Sequence, residues 1–368
     1  MRIVDRALIR EALQASLAVA LVFVSLFVVV TLVNVLGKAA VGDLPARLVF
    51  TLLSLQTIKV LGVLLPLSFF IGVLLTVGRW YRESEMTVLM ACGIGLAQIL
   101  KPLMWLALGF ALVTGLVSFY LAPLAMNLLV KVKAENVGDL DPSGIAPGVF
   151  NEIRRGSGGV FYVERLIREG SRLQNVFVSL PHLGRYGVLV AQSGYHYTDA
   201  ESGEQYLVLE DGTRYDGIPG RPDYRILSFE TYRVRIEVPA ARDAPVLGYD
   251  ARPTLELMST WDRGAAAEWQ SRLAKPLSLF LLAVLALVFS HTNPRRGRFL
   301  GLFLAILVYF VYVNLIGVGD AMLKQGRIPS AVGLWWVHLG FAGLAAYFFW
   351  RRLNNLPLIP RRHERAIA

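Results

Sequence analysis

The residues that could do chemistry in this sequence are few and poorly matched to catalysis. Five histidines, His182, His196, His291, His338 and His363, stand apart and form no His-Glu-x-x-His pattern, so a metal site is not expected. The single cysteine, Cys92, excludes an intramolecular disulfide and a thiolate cluster, and its type predicts a small buried apolar residue. No Gly-x-x-x-x-Gly-Lys-Ser/Thr phosphate loop occurs, since the only Gly-Lys pair, Gly37-Lys38, runs into Ala39. Ser193-Gly194 follows Ala191-Gln192 and makes no Gly-x-Ser-x-Gly elbow. Asp and Glu are nearly absent from the long apolar runs, which leaves no acid–base pair or proton relay there. The expectation is a chain with no catalytic residue, no metal and no cofactor.

Two sets of residues remain. The first is basic and sits at or inside the ends of apolar runs: Lys38, Arg47, Lys59 and Lys324, with Arg272, Lys275 and Arg327 nearby in sequence. One reading is snorkelling to headgroups or loop solvation. The other is a cation-lined cleft for a polyanionic lipid. Lys59 is the sharpest case, about 16 Å along a helix that starts at Leu48, because a lysine deep in an apolar run needs a partner or water. The second set is Arg79 to Gly93, which opens with charge and aromatics, places Glu83 and Glu85 two residues apart and then turns apolar. A helix over Tyr81–Ala91 puts Glu83, Thr87 and Met90 near one face and turns Val88, Leu89 and Cys92 elsewhere. Such a helix either lies at the membrane surface or is gripped by a second protein.

These residues are positioned by a membrane protein. The 368 residues are 55% hydrophobic and 17% charged, with mean hydropathy +0.52. A soluble domain carries roughly 25% charged residues. Six apolar segments stand at Ala15–Leu36, Leu48–Gly78, Ile99–Val130, Leu273–Phe289, Phe299–Gly319 and Val332–Trp350, three before and three after a long polar region. The first run is too long for a cleavable signal peptide. Net charge is +10, which in a soluble protein would suggest nucleic acid. Here the arginines cluster at segment ends: Arg2, Arg6 and Arg10; Arg79 and Arg82; Arg295, Arg296 and Arg298; Arg351, Arg352, Arg361, Arg362 and Arg365. They set orientation, with both termini and Arg79–Gly93 cytoplasmic and the polar region outside, and no nucleic-acid partner is expected. The tight turn Asn293–Arg298 could also touch a cytoplasmic subunit or anionic lipid.

The polar region reads as β. Candidate strands are Gly159–Ile167, Leu173–Leu180, Gly187–Thr198, Gln205–Glu210 and Tyr224–Val238, with Ser202-Gly203 and Asp211-Gly212 as turn signals. In the last strand Arg233, Arg235 and Glu237 alternate with Val234, Ile236 and Val238. The spacing suggests an antiparallel sandwich or jelly roll with open edges that accept another protein's strand. Linkers at Asn136–Pro147 and Ala240–Pro253 frame it, and Thr254–Trp269 reads as an amphipathic helix. The fold expected is therefore a polytopic α-helical membrane protein, six transmembrane helices arranged three plus three around an inserted periplasmic all-β, jelly-roll-like domain. The divisions are 1–130 with a cytoplasmic helix at about 80–93, 131–267 and 268–368.

Leu36-Gly37-Lys38-Ala39-Ala40 with Gly42-Asp43-Leu44-Pro45, the run Tyr81–Val88 with Ala91-Cys92-Gly93, and Asn293–Arg298 together resemble the LptF/LptG permease family over nearly the whole chain. The N-terminal half is more similar to the LptF branch. The resemblance implies a transmembrane subunit of the lipopolysaccharide-export ABC transporter in the Gram-negative inner membrane, paired with an LptG-like paralogue. An LptB-like cytoplasmic ATPase dimer supplies hydrolysis, which agrees with the missing phosphate loop. Residues 80–93 become a coupling helix seated in that ATPase, with Tyr81, Arg82, Glu83, Glu85 and Met86 as its contacts. The β domain joins an LptC-like and LptA-like periplasmic bridge. Lys38, Arg47, Lys59 and Lys324 are candidates for lipopolysaccharide phosphates. Two other readings are a force-transmitting scaffold that moves no lipid, and a membrane enzyme on envelope lipid precursors. The latter would have to use scattered groups such as Asp139, Asp141 and Glu152.

Overall fold

The computed structural model describes residues 3–40, 46–138, 148, 150–153, 159–167, 172–182, 185–199, 205–217, 224–236, 247–260, 262–291, 300–354 and 356. Expected features at Asp43, Asp139, Asp141, Ser202-Gly203, Asn293–Arg298 and Arg361–Arg365 lie outside these residues. The chain forms two compact units, one from residues 1–29, 54–129 and 247–368, the other from 30–53 and 130–246.

Five helical stretches among the described residues are long and apolar enough to cross a membrane. Helix α1 is Ile3–Ala40 and α2 is Val49–Arg82, entered through a 3-10 turn at Ala46–Leu48. After the short α3, Glu85–Ala91, comes α4, Leu96–Leu116, which runs through a π turn at Val117–Leu121 into α5, Ala122–Gly138. Beyond the sheet lie α6, Thr254–Ser259, α7, Arg263–Phe289, and α8, Leu300–Lys324. The sixth expected segment is α9, Trp335–Leu353, 19 residues with Arg351 and Arg352 in its last turn.

Two helices start earlier than their apolar runs. Helix α1 begins at Ile3 because Leu8 and Ala12, one turn apart, are both buried against the core. Helix α7 begins at Arg263, so the expected amphipathic helix over Thr254–Trp269 is instead a short α6 followed by a break and the first turns of α7.

The helical core is built from one face each of α2 and α4 around α7, whose second half is buried on every side, Leu285 to Phe289 without a break. Phe69, Phe70, Val73 and Val77 follow helical spacing, as do Ile99, Leu103 and Ala107 and then Leu279, Leu282, Ala283 and Ala286. Helix α1 joins α2 through small residues. A Cβ placed on Gly72 would stand 2.5 Å from the Ser16 Cα, so only glycine permits this approach. By contrast α1 and α8 keep Leu21, Val22, Leu26, Phe303 and Phe310 exposed, surfaces suited to lipid rather than water.

The β region is one six-stranded antiparallel sheet with strands paired in chain order. They are β1 Phe150–Ile153, β2 Gly159–Ile167, β3 Arg172–His182, β4 Arg185–Thr198, β5 Gln205–Gly217 and β6 Arg225–Ile236. Within the jelly-roll-like expectation, the strand order among the described residues is thus that of a meander, and β1 and β6 are its edges.

Asp211-Gly212, expected as a turn, lies in the middle of β5. Asp211 takes φ 52 and, two strands away, Asn175 takes φ 51, both left-handed. The register continues across both positions, and Glu164, Asn175, Gln192, Asp211 and Glu230 fall on one line across the sheet. Burial alternation changes phase at that line: Val176 and Val178 are buried on one side of it and Leu173 on the other. One apolar surface therefore continues across the kink, joining Val163, Val176 and Ala191 to Leu173 and Leu209 in a single cluster.

Candidate functional site

The segment Arg79–Gly93 is not one helix. Tyr81 and Arg82 finish α2, whose last turn closes when Glu83 N–H donates to Arg79 O (2.9 Å). Ser84 takes φ 62, and α3 starts at Glu85, whose carboxylate sits in the first turn where the helix dipole favours it. At the other end Gly93, at φ 81, closes a Schellman cap: its N–H donates to Met90 O (3.0 Å) and Ile94 N–H to Leu89 O (2.9 Å). Leu89 and Ile94, the pair that accompanies such a cap, both pack on the helical core.

This geometry corrects the expected contact face. Met86 is fully buried with Leu8, Ala12 and Trp80 and leaves the surface. Tyr81 is half-buried, its ring 4.8 Å from that of His291. Arg82, Glu83 and Glu85 are exposed, followed by Thr87, Val88 and Met90. Glu83 stands in the turn before α3 rather than on its helical face. Cys92, expected to be buried, is exposed.

The turn is tied to α1 by a residue the sequence did not single out. Glu11 Oε2 accepts from Arg79 Nη2 (2.5 Å) and Trp80 Nε1 (2.8 Å), and Arg79 Nε lies 3.7 Å from Glu83 Oε2. Glu11 stands between the buried Leu8 and Ala12 on one face of α1, and that spacing is the signal that could have found it.

The basic candidates divide. Lys38 and Arg47 are exposed and belong to the second unit. Lys59 has the partner its position demands, Asp250, at 3.0 Å, with both side chains partly exposed. Lys324 pairs with Asp320 one turn before it, at 2.7 Å. Lys275 lies along α2, its Cδ 3.6 Å from where a Cβ on Gly62 would stand, within electrostatic reach of Lys59, Glu268 and Asp320. Among the described residues no hydrogen bond or ion pair is formed by the Lys275 ammonium, while the Lys275 carbonyl accepts from Ser278 Oγ (2.6 Å).

In the sequence Arg272 is only one basic residue near the end of an apolar segment. The structure buries it to 2% exposure and makes it the hub of the segment that follows the sheet in the chain. Its guanidinium donates to Glu268 Oε1 (3.0 Å), to the carbonyls of Tyr249 (3.0 Å), Asp250 (3.2 Å) and Arg252 (3.0 Å), and to Thr254 Oγ1 (2.8 Å). Tyr249 also donates its hydroxyl to Asp262, which holds that carboxyl below its ordinary range.

Two prolines explain why hydroxyls gather here. Pro123 has no N–H for the Phe119 carbonyl one turn earlier, and Thr254 Oγ1 donates to it instead at 2.8 Å. Pro276 likewise leaves the Arg272 carbonyl free, and Ser118 Oγ donates to it at 3.2 Å. The π turn of Val117–Leu121 stands beside both. Sequence signals did exist: Glu268 and Arg272 are spaced i,i+4, and each proline falls four residues after the carbonyl it frees.

Helices long and apolar enough to cross a membrane, interrupted in sequence by an antiparallel sheet, define the class of polytopic membrane proteins with an inserted β domain. The sequence model described as "Lipopolysaccharide export system permease LptF/LptG" matches residues 6–351, and the chain belongs to that family. It is similar to the lipopolysaccharide export system permease protein LptF of Escherichia coli K12, 31% identical over 370 residues that cover 99% of this chain and 98% of that protein. The LptF proteins of Escherichia coli O157:H7 and Shigella flexneri match equally, at 31% over 99% of this chain and 98% of theirs. Within the family the chain is LptF-like, a permease of the lipopolysaccharide export system.

Proposed function

We propose that the chain is the non-catalytic LptF-type subunit of an ABC transporter in the bacterial inner membrane. It pairs with an LptG-like paralogue, takes lipopolysaccharide from the outer leaflet and passes it to LptC-like and LptA-like periplasmic proteins. An LptB-like ATPase dimer drives it from the cytoplasm. Both termini and residues 79–93 are cytoplasmic, the side to which the arginine-rich ends of the segments assign them, and the β domain is periplasmic.

The observation that carries the reading is the segment 79–93 in a chain without its own phosphate loop. Exposed Arg82, Glu83, Glu85, Thr87, Val88 and Met90 form a small mixed surface whose underside is pinned by Met86, Leu89 and Ile94. A chain that moves lipid without hydrolysing ATP needs one such contact. Lys59 and Lys324, each already beside a carboxylate, and Lys38 and Arg47 are the proposed cations for lipid phosphates.

Purification of the tagged chain with its ATPase, followed by hydrolysis with and without lipopolysaccharide, tests the assembly. The wild-type complex shows lipopolysaccharide-stimulated hydrolysis, and Glu83→Lys abolishes the stimulation and transport. Wild-type transport by Glu83→Lys overturns the coupling role. Hydrolysis indifferent to lipopolysaccharide in the wild-type complex favours a force-transmitting scaffold.

A further inference from the structure

We infer that Glu11 on α1 is a positioning residue for the coupling segment, acting by sharing Arg79 with Glu83. The Arg79 guanidinium is gripped on one side and offered on the other. Its Nη2 is 2.5 Å from Glu11 Oε2, while its Nε faces Glu83 Oε2 at 3.7 Å and makes no hydrogen bond. Trp80 Nε1 donates to the same Glu11 oxygen at 2.8 Å, so the carboxylate fixes two consecutive residues of the last α2 turn. One cation between two carboxylates leaves a net negative charge. With Glu11 holding Arg79, Glu83 keeps its charge for a partner. Without Glu11, Arg79 is free to close on Glu83 and neutralise it.

Helix α1 is in turn packed closely on α2. Leu8 and Ala12 flank Glu11 and are 1% and 0% exposed, and Ser16 sits against Gly72 with no room for a methyl group. A displacement of α1 along α2 therefore pulls on Arg79 through Glu11. Helix α1 also carries the exposed apolar face of Leu17, Leu21, Val22 and Leu26. The Glu11 carboxylate gives α1 a charged link to the turn before α3, beside the apolar cluster that holds Leu8, Ala12 and Met86.

Cys92, the chain's single cysteine, is exposed at the C-cap of α3 and provides the readout. A nitroxide on Cys92 of the full-length chain in phospholipid vesicles reports the mobility of the segment. Glu11→Gln keeps an acceptor for Trp80 and removes only the charge. It shifts the ratio of mobile to immobile spectral components by about two- to fivefold, the size a partly exposed ion pair supports. In a Glu83→Gln background Arg79 has no second carboxylate to close on, so Glu11→Gln changes the spectrum less than it does in wild type, and Glu256→Gln on α6 leaves the spectrum as in wild type. In the assembled transporter Glu11→Gln lowers transport per ATP hydrolysed by a similar factor, and Glu11→Asp restores part of it. An unchanged spectrum, additive effects of Glu11→Gln and Glu83→Gln, or an unchanged transport ratio overturns the inference. The inference rests on the coupling role proposed above, and the vesicle measurement needs no ATPase. A responding label together with normal transport by Glu83→Lys would overturn the coupling role and leave the Glu11–Arg79–Glu83 arrangement standing.

Discussion

The helical unit is fastened in two different ways at two places. Around Arg79 the fastening is ionic and partly open to solvent, with Arg79 42% and Glu11 33% exposed. Around Arg272 it is a hydrogen-bonded knot: a guanidinium 2% exposed donates to three backbone carbonyls, a hydroxyl and a carboxylate. Exposed ion pairs contribute little and exchange partners cheaply. A buried cation stripped of its acceptors, or acceptors stripped of their cation, costs several times more. The first place can exchange its ion-pair partners at little cost, and the second cannot lose its acceptors without a large one.

The largest expected effect tests the fixed place. Arg272→Leu orphans the acceptors of Tyr249, Asp250 and Arg252 and destabilises the helical unit by about 3 kcal/mol or more. Thermal unfolding in detergent measures it, and a loss below about 1 kcal/mol would remove the contrast. A middle-sized effect tests the proline account. Ser118→Ala leaves the Arg272 carbonyl without a donor and costs about 1 kcal/mol. Pro276→Ala supplies a helical N–H to that carbonyl, so Ser118→Ala in this background is close to neutral. Equal losses in both backgrounds would mean that Ser118 matters for another reason. The smallest effect tests the exchangeable place. Glu11→Gln changes unfolding by about 0–1 kcal/mol while altering the label at Cys92. A melting shift as large as that of Arg272→Leu would make the two places alike.

Much of this was legible in the sequence, because hydrophobic length and arginine placement act one segment at a time. The apolar segments, the β character of the middle and the singular nature of residues 79–93 all follow from local pattern. Features that depend on a distant partner were not legible. Met86 and Cys92 exchange their expected environments because Ser84 and Gly93 set the orientation of α3, and a helical wheel drawn from Tyr81 assumes no break. Asp211-Gly212 reads as a turn by composition, yet neighbours on both strands hold it inside β5 as a kink. Lys59 was recognised as needing a partner, but nothing local could point to Asp250, 191 residues away.

The carbonyls freed by proline also impose an order on biogenesis. Phe119 and its donor Thr254 are 135 residues apart, and Ser118 and the Arg272 carbonyl 154 apart. At the usual pace of synthesis the ribosome needs roughly 7–30 s to cover that distance. Helices α1 to α5 therefore emerge and insert while the carbonyl of Phe119 still lacks its hydroxyl, and the β strands are made before the donor arrives. The unit built from both halves of the chain is consequently the last part of the molecule to be completed.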